Sequence, residues 1–182
     1  MALRMLHIIN SYSAIALVAR SLIVFDIDDT LVNFPDYGLD WWNAKKAVYE
    51  QTMSVAEADH ATLLDWRAAV HHVDPVPIDK DGFLQFYAQA KAAGCDVIFL
   101  TARSEKLKEI THRHLKNTLM ECAEGHVFFS EDKGPALISI LQGRRPYHHV
   151  IFVDDLVKNH ESVRQALDAL GVPVDTYHFQ MK

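Results

Sequence analysis

The chain has few cysteines, no excess of positive charge and no long uninterrupted apolar run. Its two cysteines, Cys95 and Cys122, stand in no CxxC spacing and complete no zinc pattern, which fits a reducing compartment. Lysine and arginine number 18 against 24 acidic residues, a formal net charge of -6. That balance argues against broad nucleic-acid binding, which depends on a basic surface. No stretch is apolar for long enough to span a bilayer. Blocks of like charge, low-complexity tracts and internal repeats are all missing. There are eleven histidines but no HExxH, and the pairs His71-His72 and His148-His149 read as surface or strand-edge residues.

What is present suits a packed domain. At 182 residues, 49% hydrophobic and 23% charged, the expectation is a single domain over 1–182 with one small insertion. The opening "MALRMLHIINSYSAIALVAR" places Arg4 before a mostly apolar run, the outline of a signal peptide. His7, Asn10, Ser11, Tyr12 and Ser13 interrupt that run, and cleavage after Ala19 would leave the next strand almost no lead-in. A short helix packed on the domain is expected there, with no classical export signal.

"SLIVFDIDDTLV" breaks a local rule. A continuous apolar run, Leu22 to Phe25, reads as a strand buried on both faces. It ends by crowding Asp26, Asp28 and Asp29 together, where mutual repulsion opposes folding; such breaches collect at functional sites. Four further strands are expected: Cys95 to Leu100, "HVFF" ending at Phe129, His149 to Val153, and Pro173 to Phe179. Helices separate them. One ends at Gly94, one is capped by Ser104 and runs to Leu119, one starts at Pro135, and one runs from Val157 to Leu170 and ends at Gly171. Strands alternating with helices predict a parallel sheet covered on both faces, with its site at the carboxyl ends of the strands. Those ends carry Asp26, Thr101 and the pair Asp154-Asp155, with Lys133 near a helix start. The connection from 34 to 78 reads as a small helical insertion over the site. Ser54 and Glu57 stand in capping-box spacing, and Trp41, Trp42 and Trp66 either line a pocket or pack the insertion down.

Clustered carboxylates at a strand end point to a divalent cation such as magnesium, held by Asp26, Asp155 and the backbone carbonyl of Asp28. Asp26 is then a candidate nucleophile that takes up a phosphoryl group, and Asp28 a candidate acid and base. Thr101 would bind a phosphoryl oxygen, and Lys133 would offset the charge of phosphate and nucleophile. Asp154 supports the pair. Asn159 would orient a metal-bound water or a ligand carboxylate, or cap its helix. Arg103 would bind a substrate anion or pair with Glu105 or another surface acid.

"DIDDTLV", "FLTAR", "DKG" and "VDDLVKN", in that order, resemble the four motifs of the haloacid dehalogenase (HAD) superfamily. The likeness runs from about Leu22 to Asn159. It is nearest to the bacterial DUF2608-like group, with HAD subclass IIIB acid phosphatases a more distant likeness. The resemblance implies a Rossmann-like α/β fold with strand order 3-2-1-4-5, magnesium, and phosphomonoester hydrolysis through an aspartyl phosphate. The expected partner is a phosphorylated small molecule or a phosphoprotein, phosphotyrosine included, in the cytoplasm or in a host cell after secretion. Two other readings are a catalytically idle HAD-fold binding module and a receiver-type phosphoacceptor. Receivers place the acidic pair first, whereas here it comes late.

Overall fold

The computed structural model describes residues 6–122 and 125–181. In chain order the elements are β1 (Leu6–Ile9), β2 (Leu22–Phe25), the short β3 (Val32–Asn33), α1 (Leu39–Tyr49), α2 (Val55–Val70), the short β4 (Val76–Pro77) and α3 (Lys80–Ala92). Then follow β5 (Asp96–Thr101), α4 (Lys108–Thr118), β6 (Val127–Phe129), α5 (Lys133–Gln142), β7 (Val150–Asp154), α6 (Val157–Ala169) and β8 (Val174–Phe179). Six strands form one parallel sheet in the order β1-β8-β7-β2-β5-β6. Within it the five expected strands stand in the expected 3-2-1-4-5 order.

The sixth strand corrects the N-terminal expectation. Leu6–Ile9 is not helical but pairs in parallel with Thr176–Phe179, and only a 3-10 turn, Tyr12–Ala14, follows. The remainder of the expected helix, residues 1–5, lies outside the described residues. "LHII" is mostly apolar, with two β-branched isoleucines, and β8 offers an open edge whose backbone groups need partners. Tyr12 then reaches the middle of the fold. It is fully buried, stacks on Phe179 with centroids 5.1 Å apart, and donates its hydroxyl to the Thr30 carbonyl at 2.7 Å. The first described segment thus braces the turn that follows the aspartates.

β2 is buried at every residue because helices cover both of its faces. Ile23 and Phe25 pack into the layer formed by Phe83 and Phe86 of α3 and Leu115 of α4. Leu22 and Val24 face Leu137 of α5 and Val163 of α6. α5 begins at Lys133 rather than at the expected Pro135. Pro135 sits in the first turn, where a missing N–H breaks no helical bond. Gly134 has a specific job there: a Cβ at this position would lie 2.5 Å from the Ser162 carbonyl oxygen. The bare backbone lets α5 start hard against α6, which brings Lys133 to the sheet edge.

The insertion leaves the core through β3 and returns through β4, which pair antiparallel. α2 starts with the capping box, Ser54 N–H donating to Glu57 at 2.9 Å, and its far end roots on the core as Trp66 packs edge-on against Phe34. α1 is different. It has no buried residue and is tied to α2 by polar contacts, Lys45 to Asp65 at 3.0 Å, Tyr49 to Asp65 at 2.8 Å and Lys46 to Asp59 at 2.7 Å.

Two fully buried histidines set an acid limit on the fold. Burial, above all, pushes His114 and His160 down to about 4. Both rings are neutral when folded, whereas in the unfolded chain each takes up a proton near pH 6.5. Their contribution is therefore complete above that value and is lost as the pH falls towards 4. At about pH 5 the loss is roughly 2 kcal/mol for each ring. The melting temperature should drop between neutrality and about pH 5; a flat profile would show that the rings charge without cost.

Candidate active site

The register carries the acids to one edge. Phe25 is paired with Phe99 on one side and Val153 on the other, so Asp26 and Asp154 follow directly and Thr101 one residue further on, at the carboxyl ends of three adjacent strands. Asp26 is anchored by its own N–H, which donates to the Val153 carbonyl at 2.9 Å. Asp29 adopts a left-handed backbone, φ 56°, in the tight turn beyond it. Aspartate tolerates that conformation better than most residues, and such strain gathers at functional sites.

Lys133 is buried and ion-paired with Asp26 Oδ1 and, at 2.6 Å, with Asp154 Oδ2. Asn159 donates its amide to both Asp154 oxygens, at 2.9 and 3.0 Å, and the Leu156 N–H adds a bond at 2.8 Å. Asn159 therefore orients a carboxylate. The N-cap position of α6 falls to Leu156, without a side-chain cap. Asp154, expected only as support, is the hub that joins Lys133, Asn159 and the acid cluster. Nothing in the sequence ranks two adjacent aspartates; the strand's alternation alone decides which one turns inward.

Carboxylate oxygens of Asp26, Asp154 and Asp155 all lie within 4.8 Å of one another. Two unit charges at that spacing repel by about 3 kcal/mol at an effective dielectric of about 20. Burial above all pushes Asp26 well up, with Lys133 opposing it and Asp154 adding to it, and burial followed by Asp154 pushes Asp155 up to about 7. For Lys133, burial works against the charge, but Asp26 and Asp154 outweigh it and raise its value. Three carboxylates against one ammonium leave a charge deficit that suits a hard divalent cation with oxygen ligands. The least encumbered oxygens are Asp26 Oδ2, which accepts only a long 3.4 Å bond from Thr30, and those of Asp155.

Asp28 does not join this cluster through its side chain. Its two oxygens are gripped by Arg103, Nη2 to Oδ1 at 2.6 Å and Nε to Oδ2 at 2.8 Å. Arg103 is 5% exposed, and its acid partner is Asp28, not Glu105. Its Nη1 donates to Thr111 at 3.2 Å and to His114 Nδ1 at 3.1 Å, which hold the guanidinium from behind. Thr101 accepts the Arg103 backbone N–H at 3.2 Å, leaving its own hydroxyl proton to donate. The pairing of residues 28 and 103 has no sequence signal, although "TAR" does mark the arginine.

Above the edge opens a cleft of about 530 Å³. Asp28, Arg103 and Asn159 line its floor, and Tyr37, Trp42, Trp66 and Arg67 come from the insertion. Trp42 and Trp66 thus serve the cleft, whereas Trp41 packs edge-on against Tyr37 with centroids 5.4 Å apart. Arg67 carries no sequence signal; it is one more basic residue on a mixed helix.

A family model described as HAD superfamily, subfamily IIIB (acid phosphatase), matches residues 4–139. The chain belongs to this family. A second model, the protein of unknown function DUF2608, matches residues 120–181. None of the curated proteins matches the chain. Among solved structures, the class C acid phosphatase from Bacillus anthracis is 13% identical with a TM-score of 0.50, covering 90% of this chain and 68% of that one. A HAD hydrolase, family IA, variant 3, from Entamoeba histolytica is 12% identical with a TM-score of 0.55, covering 80% of each chain. At these identities the two structures bear on the fold alone. The family match makes the chain a HAD-type phosphatase, and the receiver reading falls with it. Among the described residues, no helix is long and apolar enough to cross a membrane.

Proposed function

We propose that this phosphatase hydrolyses phosphomonoesters with magnesium and an aspartyl phosphate on Asp26. The reading is carried by one observation: Asp26, Asp154 and Asp155 converge at the sheet edge beside a buried lysine. Asp26 and Asp155 would hold the ion, with the Asp28 carbonyl beside them. When bound, magnesium supplies charge neutralisation between the acids and the phosphoryl oxygens.

The chain's own groups do the rest. Lys133 fixes the Asp26 carboxylate, one oxygen of which would attack phosphorus. As that bond forms, the bond from phosphorus to the leaving oxygen breaks, and the Thr101 hydroxyl and the Lys133 ammonium face the phosphoryl charge. Asp28 gives the leaving oxygen its proton. It then takes a proton from the water that attacks phosphorus, releasing phosphate and restoring the Asp26 carboxylate. With both oxygens in the Arg103 fork, Asp28 offers neither to a leaving group, so this role requires the fork to loosen when substrate enters. The aromatic walls of the cleft support extending the substrates to aryl phosphates, phosphotyrosine on proteins included.

The test is hydrolysis of p-nitrophenyl phosphate with magnesium, after chelation, and after magnesium is restored. Turnover should fall at least about a hundredfold on chelation and return with the ion. Full activity in excess chelator would remove the metal from the proposal.

A further inference from the structure

Basic side chains around the insertion are paired almost throughout. Lys45 and Lys46 meet Asp65 and Asp59, Arg113 meets Asp74, and Arg103 meets Asp28. Arg67 breaks the pattern. It is half-buried on α2 and lines the cleft, yet among the described residues it makes no hydrogen bond or ion pair. Lys158, from the first turn of α6, lines the same cleft and is likewise unpaired among the described residues. Of the acids in the cleft wall, Asp28 is taken up by Arg103, while Asp29 and Glu131 pair with neither cation. A guanidinium that lines the cleft without a protein anion is free to take one from a ligand.

We infer that Arg67 and Lys158 form a second anion subsite, so that the preferred substrate is a phosphomonoester with a flat apolar body and a carboxylate at its far end. The inference rests on the phosphatase reading above. Trp42 and Trp66 supply the apolar walls, and about 530 Å³ falls within the range of small-ligand clefts. One cation comes from the insertion and the other from the core, so an anion held between them ties the two together over the bound ester. A planar guanidinium suits a carboxylate with two parallel bonds, which an ammonium at position 67 would match only as a point charge.

The probes are phenyl phosphate and its para-carboxymethyl and para-aminoethyl derivatives, turned over by the whole chain with magnesium. The carboxymethyl ester should show a KM about tenfold below that of phenyl phosphate at similar kcat, and the aminoethyl ester a higher KM. Arg67→Glu should reverse that order, Arg67→Lys should keep part of the preference, and added salt should shrink it. Lys158 is exposed, so Lys158→Glu carries the same expectation should the Arg67 variants fail to fold. Equal KM values for all three esters in the native chain, with phenyl phosphate turned over, would overturn the subsite. No turnover of any ester would instead strike the phosphatase reading itself.

Discussion

Asp26→Asn should cut turnover of p-nitrophenyl phosphate by about 10⁴-fold or more while the protein stays folded. An amide oxygen is a poor nucleophile and cannot form the acyl phosphate, so the loss falls on the chemical step. The substitution keeps the shape of the side chain and leaves Lys133 paired with Asp154 at 2.6 Å, so no buried ammonium is stranded. The measurement is kcat beside a thermal melt, on protein purified free of host phosphatases. Native-like turnover in that variant would move the nucleophile elsewhere; lost activity with a collapsed melt would point to a structural cause.

Lys133→Met should lose activity and stability together. Methionine fills a similar volume, so the deficit is electrostatic: Asp26 and Asp154 remain buried without their counter-charge. Removing one partner of a buried pair costs about 3–5 kcal/mol, far more than the pair contributes against an apolar substitute. Magnesium should raise the melting temperature of this variant more than that of the native chain, because the ion then carries the whole task of balancing the acids. A variant as stable as the native protein under chelation would show that the ammonium balances nothing.

The elements that proved readable in sequence are those where chemistry overrides folding preference. Three aspartates crowd the end of one apolar strand and two more the end of another, and the fold brings Asp26, Asp154 and Asp155 together there. The central strands were readable because burial on both faces forces unbroken apolar runs. Leu6–Ile9 was not, since three apolar residues and a histidine beside polar ones serve a helix or an edge strand equally well, and only the vacant side of β8 decides. The grip of Arg103 on Asp28 joins residues 75 positions apart, and the hub role of Asp154 depends on which of two neighbours faces inward. Both are properties of assembled space, with no trace in composition or spacing. The same holds for Arg67, whose isolation among the described residues exists only once its neighbours have paired with others.

Because α1 contributes nothing to the interior and meets α2 through ion pairs and a tyrosine hydroxyl, its residues are free to vary at little cost to the rest. Trp42 lies on that same segment. Selection acting there can retune which molecules are admitted without touching the machinery that breaks the ester, so new preferences are open to this architecture through ordinary drift of one surface helix.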